Sequence, residues 1–380
     1  MYKILVDENI PFAIEAFSGF GKVKLAAGRE ISNPMLKDID ILIIRSVTKV
    51  DKSLLENTSV KFVGTTTIGL DHIDTRYLEN NKISLAGSPG CNANSVVEYI
   101  TAGLLKIAID QKFVLKEKSI AIIGYGNIGS KVAQITRSFG MQTLINDPPL
   151  QRSTGESFFT SYNEALKADI ITFHVPLNIE GIDKTYHMLS DFKLQSFNSD
   201  KIILNSSRGS VLSDEDLKKF LLKKKNTVLL DVWENEPDID TELLNLVKIG
   251  SPHVAGYSYE GKVNGTIMIY KALCKHLNIN PKWQPDYPEI DNTIFDYQEM
   301  DTLEESLNSI ISKIYDIEND DSKLRKVLSL NKNEQGNYFN LLRKNYPVRR
   351  EFSNFSIRIG RWLKREINIL KTLRFKVIEI

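Results

Sequence analysis

The segment SIAIIGYGNIGS, residues 119–130, constrains the fold of this 380-residue chain more than any other. A β-branched apolar run leads directly into three glycines with G-x-G-x-x-G spacing, Gly124, Gly126 and Gly129. The residues that follow have apolar positions at helical spacing as far as Gly140. A strand, a tight glycine turn and a helix in this order are typical of the nucleotide-binding edge of a parallel sheet.

The glycine segment has the composition that a dinucleotide requires. In such a loop the first glycine permits a tight turn, the second lets a pyrophosphate approach the backbone, and the third lets the helix pack closely on the strand. We assign Asn127 and Ile128, inside the motif, to the same cofactor site. Asp147 ends the next apolar segment, TLIND, where a carboxylate would bind a ribose diol and repel a 2′-phosphate. The pattern predicts NAD as the cofactor, although a methyltransferase can carry a similar loop.

Most of the first 280 residues alternate short apolar runs with segments of helical period. Runs such as DILIIRSV, DIITFHV and TVLLDVW lack polar alternation, which suits strands buried on both faces. The intervening helical segments provide the connections that parallel strands need. One long apolar-faced segment, residues 92–111, separates a first set of strands from a second. We predict an α/β fold with two doubly wound, Rossmann-like parallel sheets and a ligand cleft between them.

The alternation divides the chain into three predicted domains. Residues 1–93, completed by about residues 266–286, form a substrate-binding domain, and residues 94–265 form the nucleotide-binding domain. After the segment WQPDYPEID the pattern turns polar and charge-mixed. We therefore predict a boundary near Tyr287 and a C-terminal α+β domain at residues 287–380.

Composition excludes several classes of function. A formal net charge of +1 provides no long-range field to attract nucleic acid or a membrane surface. No apolar stretch approaches the roughly 20 residues that span a bilayer, and the segment MYKILVDENIP lacks the pattern of a signal peptide. Cys91 and Cys274 lie far apart without metal-ligand spacing, which is typical of structural thiols in a reducing compartment. We expect a cytoplasmic protein with no metal, nucleic-acid or membrane partner.

Three polar residues each follow a predicted strand. Arg208 lies in SSRG after KIILN, Glu236 in DVWENEP after TVLL, and His253 in SPHVAG after VKIG. Because the carboxyl ends of parallel strands share one edge, these side chains should lie over one crevice. A guanidinium binds both oxygens of a carboxylate, and a carboxylate beside an imidazole favours its protonated form and fixes its tautomer. The set predicts oxidation of a 2-hydroxy acid: Arg208 holds the carboxylate, His253 takes the hydroxyl proton and Glu236 stabilises the imidazolium.

These motifs resemble those of the D-isomer-specific 2-hydroxyacid dehydrogenases, whose catalytic trio is arginine, glutamate and histidine in this order. The resemblance implies an NAD-dependent enzyme in which Asp231 and Gly256 are further cofactor contacts. It also implies that the C-terminal domain forms a homodimer. The segment FHVPL departs from the family, which usually carries threonine where this chain has Val175, so only a backbone contact with the cofactor is expected there. We expect structural roles for His72 and His174.

Further segments, IRSVTKV, GTTTIGLDHID, SPGCNANSVVEYI, GYSYEGK and YPVRREF, narrow the resemblance to family members that act on a phosphorylated 2-hydroxy acid. By matching motifs, Ser46, Thr67 and Tyr257 are implied as substrate contacts. Two alternatives remain open. The chain could act on another such substrate, as phosphoglycerate dehydrogenase does, or be a catalytically silent NAD-sensing protein.

A phosphate dianion requires cations beyond Arg208. In the first domain only Arg45 lies near a predicted strand edge. In the C-terminal domain, YPVRREF places Arg349 and Arg350 after a proline that restricts the local backbone. Because guanidinium groups suit phosphate, we expect one of these two residues to reach the partner's cleft in a homodimer, which makes the active site shared.

Overall fold

The structure, a computed structural model, divides into two compact units. The first unit comprises Met1–Asn92 and Ser258–Glu289, and the second comprises Ala93–Tyr257 and Ile290–Ile380. The structure describes residues 1–195, 197, 200–223 and 225–380. Within these ranges no helix is both long and apolar enough to cross a lipid bilayer.

Strands and helices alternate along most of the chain. In chain order the strands are β1 (Tyr2–Asp7), β2 (Gly21–Ala26), β3 (Ile41–Ile44), β4 (Phe62–Thr65), β5 (Ser84–Ala86), β6 (Ser119–Ile123), β7 (Gln142–Asn146), β8 (Ile170–Phe173), β9 (Ile202–Asn205), β10 (Thr227–Leu230), β11 (Ile249–Gly250), β12 (Ile294–Asp296), β13 (Ser356–Ile359) and β14 (Lys376–Glu379). The helices are α1 (Ala13–Phe17), α2 (Lys52–Leu55), α3 (Thr75–Asn80), α4 (Ala93–Gln111), α5 (Gly129–Ser138), α6 (Pro148–Thr154), α7 (Tyr162–Ala165), α8 (Asp191–Gln195), α9 (Asp214–Lys223), α10 (Thr241–Leu246), α11 (Tyr259–His276), α12 (Leu303–Ile314), α13 (Ile317–Arg325), α14 (Lys332–Lys344) and α15 (Lys364–Thr372).

The first unit is built on a five-stranded sheet with the order β2-β1-β3-β4-β5. All neighbouring strands are parallel. Successive residues of β1 belong to different hydrophobic clusters, since Ile4 and Val6 pack with α11 while Leu5 packs with Leu36 and Leu78. The sheet is therefore buried on both faces, as the unbroken apolar runs predicted.

The second unit contains a six-stranded parallel sheet with the order β11-β10-β9-β8-β6-β7. The strand order reverses at β6, which has β7 on one side and β8 on the other. In open α/β sheets, ligands bind outside the carboxyl ends of the strands at such a reversal. The predicted α/β class with two parallel sheets is confirmed, and the sheet of the second unit locates its binding edge.

The C-terminal segment has helices α12–α15 and a three-stranded parallel sheet with the order β12-β13-β14. It shares a hydrophobic core with the nucleotide-binding part, because Leu307 and Ile310 of α12 and Ile357 of β13 pack in one cluster with α4 and β6. Helix α4 is buried along most of its length, which gives it apolar surface for both parts. Helices and a sheet are present as predicted, but the segment belongs to the second compact unit.

The structure corrects the predicted boundary at residue 265. Helix α11 runs without interruption from Tyr259 to His276, and the hydroxyl of Ser258 caps it by accepting a hydrogen bond from the N–H of Gly261 at 2.8 Å. Its buried face packs in one cluster with strands β1, β3 and β4. The whole helix therefore belongs to the first unit, and the change of unit falls after Tyr257. The cleft expected between the units stays a prediction.

Candidate active site

The glycine loop after β6 has the conformation that its motif predicted. Gly124 has φ +93°, and a side chain there would collide with a carbonyl group at the end of β8. A Cβ on Gly129 would lie 1.9 Å from the carbonyl oxygen of Gly124, so both positions require glycine. A Cβ on Gly126 would meet nothing within 4 Å, which leaves space where the motif places a pyrophosphate. Asn127 is exposed and Ile128 is half-buried in the turn that leads into α5.

Asp147 lies directly beside the glycine loop. Its Oδ2 accepts a hydrogen bond from the N–H of Tyr125 at 2.8 Å, and its Oδ1 accepts one from the N–H of Leu150 at 2.9 Å. Strand β7 ends one residue earlier than predicted, at Asn146, because Asp147 is the N-cap of α6. The two backbone donors hold the carboxylate at the strand end, where dinucleotide-binding sheets bind the ribose diol.

Val175 and His174 follow β8 on the other side of the glycine loop. A Cβ added to Gly124 would lie 2.9 Å from Cγ1 of Val175, so this valine borders the predicted cofactor site. Burial lowers the pKa of His174 to about 3, and its Nε2 lies 3.0 Å from Oγ1 of Thr172. The imidazole is therefore neutral at ordinary pH, which fits a structural role.

Arg208 lies in a loop that Asn205 holds in place after β9. Oδ1 of Asn205 accepts hydrogen bonds from the N–H and the hydroxyl of Ser207 at 3.1 and 2.8 Å. The amide of Asn205 donates to the carbonyl oxygen of Arg208 at 2.9 Å. Asn205 is fully buried, so the turn is fixed from inside the sheet. Arg208 is partly buried at the carboxyl edge, where the sequence predicted a ligand for a substrate carboxylate.

The structure brings Glu236 and His253 together. Nδ1 of His253 lies 2.8 Å from Oε2 of Glu236, whose Oε1 accepts a hydrogen bond from the N–H of Trp233 at 2.9 Å. Burial alone would raise the pKa of Glu236, but His253, the N–H of Trp233 and the charge of Arg343 outweigh it and lower that pKa. The carboxylate is therefore ionised. When Nδ1–H donates to it, Nε2 keeps a lone pair that can accept a proton.

Asp231 holds the loop that carries His253. Its Oδ1 accepts hydrogen bonds from the hydroxyl of Ser251 at 2.6 Å and the N–H of Val254 at 2.7 Å. Its Oδ2 accepts one from the N–H of Ala255 at 3.0 Å, and its carbonyl oxygen accepts one from the N–H of His253 at 2.7 Å. These bonds stabilise the left-handed backbone of His253, which has φ +57°. Asp231 thus positions the loop, and its direct contact with NAD stays a prediction.

Gly256 and Tyr257 end the same loop and are partly buried. The ring of Tyr257 packs edge-on against Tyr346, with 5.8 Å between the ring centroids. The guanidinium carbon of Arg343 lies 5.7 Å from the centroid of the Tyr257 ring. Both partners belong to the C-terminal segment, so this segment contributes directly to the surroundings of a predicted substrate contact. The cofactor contact of Gly256 stays a prediction.

In the first unit, Arg45 and Ser46 directly follow β3. Ser46 is exposed. The guanidinium of Arg45 donates from Nε and Nη2 to the two carboxylate oxygens of Asp7, at 3.0 and 3.2 Å. Asp7 is fully buried at the end of β1, so the charge of Arg45 is already paired within its own unit. This pairing weakens the case for Arg45 as the main phosphate ligand.

Thr67 follows β4 and is linked to the strand end through Thr65. The two hydroxyl oxygens are 2.7 Å apart, and Oγ1 of Thr65 also lies 3.2 Å from Nε2 of His72. The imidazole of His72 is thus tied to a buried threonine, which fits a structural role. The predicted contact of Thr67 with substrate stays a prediction.

The burial of Arg349 argues against this residue as the arginine that reaches a partner's phosphate site. Arg349 is only 5% exposed, and its Nη2 donates to the carbonyl oxygens of Ser95 and Ala255 at 3.0 and 2.8 Å. Its guanidinium carbon lies 4.3 Å from the centroid of the Tyr315 ring. This cation is enclosed by its own chain and supports the histidine-bearing loop. Arg350 is partly buried, and its part in phosphate binding stays a prediction.

Three residues that hold the candidate site in place were not predicted from the sequence: Asn205, Ser251 and Tyr99. Asn205 had a local signal, since it is a polar residue that ends the apolar run KIILN. Ser251 connects the carboxylate of Asp231 with the buried hydroxyl of Tyr99, whose oxygen lies 2.7 Å from its own. No local pattern distinguishes Tyr99 within the long apolar segment that forms α4.

Two family models match the chain. The model described as "D-isomer specific 2-hydroxyacid dehydrogenase, NAD binding domain" matches residues 106–255, which include the glycine loop, Arg208, Glu236 and His253. A domain of unknown function (DUF3410) matches residues 288–373, the C-terminal segment. Together with the parallel sheet and the polar edge described above, the first match defines the protein as an NAD-dependent dehydrogenase.

Curated relatives extend the similarity to nearly the whole chain. The erythronate-4-phosphate dehydrogenase of Proteus mirabilis is 42% identical over 364 residues, which cover 93% of this chain and 94% of that protein. The enzyme of the same name from Hydrogenovibrio crunogenus is 38% identical and covers 92% of each chain. The chain belongs to the D-isomer-specific 2-hydroxyacid dehydrogenase family, within the group that includes these erythronate-4-phosphate dehydrogenases.

Solved structures share the fold at lower identity. A D-lactate dehydrogenase from Aquifex aeolicus, complexed with NAD and lactic acid, is 23% identical and superposes with a TM-score of 0.60. The match covers 73% of this chain and 95% of that one. An NAD-bound 3-phosphoglycerate dehydrogenase of Entamoeba histolytica is 22% identical, with the same TM-score and coverage.

Proposed function

We propose that the protein oxidises 4-phospho-D-erythronate with NAD to 2-oxo-3-hydroxy-4-phosphobutanoate, a step in pyridoxal phosphate biosynthesis. The observation that carries the chemistry is the 2.8 Å contact between Glu236 and His253 at the edge that also presents Arg208. The erythronate-4-phosphate dehydrogenases at 38–42% identity support the choice of substrate.

The residues of the second unit suit NAD. The open space at Gly126 accommodates a pyrophosphate, and the carboxylate of Asp147 accepts hydrogen bonds from a ribose diol. Val175, Asp231 and Gly256 contact the same cofactor. Bound NAD supplies the acceptor for the hydride that leaves C2 of the substrate.

The protein side chains bind the substrate and accept the proton of its 2-hydroxyl group. Arg208 binds the substrate carboxylate with its planar guanidinium and so fixes the orientation of C2. Nε2 of His253 takes the proton of the 2-hydroxyl while the C2 hydride leaves, which converts the alcohol to a ketone. The ionised Glu236 stabilises the imidazolium that results, and Ser46, Thr67 and Tyr257 contact the rest of the substrate.

The test is NADH formation by the purified protein with three substrates: 4-phosphoerythronate, 3-phosphoglycerate and unphosphorylated erythronate. The proposal predicts the highest kcat/KM with 4-phosphoerythronate. A preference for 3-phosphoglycerate would instead support a phosphoglycerate dehydrogenase. Absence of turnover with every substrate, while NAD still binds, would support a silent NAD-sensing protein.

We also propose that the protein is a cytoplasmic homodimer. Val348 and Trp362 of the C-terminal segment are 74% and 71% exposed, which supports an interface in this segment. Light scattering of the purified protein measures the mass in solution. A mass near the 43.2 kDa of one chain would contradict the dimer.

A further inference from the structure

The substrate of the proposed function carries a phosphate dianion, which calls for a cation beyond Arg350, whose part in phosphate binding stays a prediction. Arg208 is assigned to the carboxylate at the other end of the substrate. Arg45 is paired with a fully buried carboxylate, that of Asp7. Arg349 is enclosed in the interior of the second unit. A phosphate dianion desolvated in a site needs a positive partner, because an unpaired buried charge is strongly unfavourable.

Arg343, in the last turn of α14, has the features of such a partner. The residue is partly buried, and its guanidinium carbon lies 5.7 Å from the ring centroid of Tyr257, the predicted substrate contact. Its Nε is buried and has no hydrogen-bond partner among the residues that the structure describes. A buried donor without a partner is unfavourable, so its presence in a native fold calls for an explanation.

The surroundings of Arg343 connect it with the catalytic pair. Tyr257 ends the same loop that carries His253. The charge of Arg343 also contributes to lowering the pKa of Glu236, which places it within electrostatic reach of that carboxylate. Tyr346, three residues further along the chain, packs against the same tyrosine ring and anchors its own hydroxyl on Asp320 at 2.7 Å. The C-terminal segment therefore holds a cation beside the substrate loop of its own chain.

We propose that Arg343 binds the phosphate group of the substrate, alongside the ring of Tyr257, and so selects phosphorylated 2-hydroxy acids. The inference rests on the proposed function and gives the domain of unknown function a part in substrate recognition. A guanidinium suits this part because its planar donors can bind two phosphate oxygens at once. The cation–π contact with Tyr257 holds the guanidinium beside that ring before the substrate arrives.

The test compares Arg343→Ala with the unaltered protein on 4-phosphoerythronate and on unphosphorylated erythronate. Loss of charge-assisted hydrogen bonds should lower kcat/KM for the phosphorylated substrate roughly 10- to 100-fold, mainly through KM. Activity on erythronate and the KM for NAD should change by less than about twofold. Arg343→Lys should keep part of the affinity, because the charge remains but the planar donors are lost.

Lys344→Ala is the matched control, since it removes the same charge from an adjacent, exposed position on the same helix. This variant should behave as the unaltered protein does. An equal loss on both substrates in Arg343→Ala would overturn the proposal, because it would mean that Arg343 only supports Tyr257 or Glu236. An unchanged KM for 4-phosphoerythronate would overturn it as well.

Binding of inorganic phosphate tests the phosphate site at Arg343 independently of the proposed function. If the unaltered protein fails to oxidise 4-phosphoerythronate, the proposed function is wrong, but the anion site can still be measured. Calorimetric binding of inorganic phosphate to the NAD-loaded protein should weaken about 10-fold or more in Arg343→Ala and stay unchanged in Lys344→Ala. Equal binding by the unaltered protein and Arg343→Ala, or no binding by either, would contradict the site.

Discussion

Oε2 of Glu236 lies 2.8 Å from Nδ1 of His253, although 17 positions separate the two residues in the chain. They meet because β10 and β11 are neighbouring parallel strands whose following loops share one edge. Asp231 then fixes the second loop through hydrogen bonds to its backbone and to Ser251. The acid–base pair is therefore a product of sheet topology together with one buried carboxylate.

His253→Ala and Arg208→Ala should impair different kinetic constants. Loss of the proton acceptor should lower kcat roughly 10²- to 10⁴-fold while substrate binding is largely kept. Loss of the guanidinium should raise KM and also lower kcat, because the substrate carboxylate is no longer oriented. Steady-state kinetics on 4-phosphoerythronate measure both effects. Identical changes in the two variants would contradict the separate roles assigned here.

Glu236→Gln should move the acidic side of the pH–activity profile to lower pH. The oxidation needs an unprotonated imidazole, and the ionised Glu236, whose pKa is lowered in the fold, favours the imidazolium. Without that negative charge the coupling within the pair is lost, so activity should persist further into acid while its maximum falls. The measurement is kcat/KM against pH for both proteins. A profile of unchanged position would remove Glu236 from the pair.

Asp147→Ala should relax the choice of cofactor. Its carboxylate is held by the N–H groups of Tyr125 and Leu150 where a 2′-phosphate would otherwise lie. The variant should have lower kcat/KM with NAD and a smaller ratio of NAD to NADP efficiency. Both cofactors are compared at saturating substrate. Equal use of NADP by the unaltered protein would show that Asp147 does not exclude it.

Asp214→Asn should change how stability depends on pH. Burial, followed by the negative charge of Glu234, raises the pKa of Asp214 to about 7. In the unfolded chain this carboxyl ionises near pH 3.8, so the folded protein loses stability as pH rises from about 4 to about 7. The loss is on the order of 2–4 kcal/mol and should be absent in the variant. Urea unfolding at pH 5 and pH 8 measures it, and equal pH dependence in both proteins would contradict the assignment.

The sequence was sufficient to predict those features of the fold and the candidate site that depend on local pattern. The glycine spacing, the apolar runs and the three strand-end residues each depend on a few neighbouring positions, and the structure brings Glu236 and His253 together as expected. The sequence failed where contacts span the chain. Arg349 meets Ala255 across 94 positions. A local motif cannot show that an arginine near the C-terminus lies inside the same core, because that depends on how α4 and α12 share apolar surface.

The most direct test of the proposed mechanism traces the hydride that leaves C2 of the substrate. The unaltered protein is given NAD and 4-phosphoerythronate carrying deuterium at C2, and the reduced cofactor is examined by mass spectrometry. If His253 removes the hydroxyl proton while the C2 hydride passes to NAD, the reduced nicotinamide should carry one deuterium, and the same reaction should be roughly 10²- to 10⁴-fold slower with His253→Ala. Reduced cofactor without deuterium, or no reduced cofactor at all, would contradict the account.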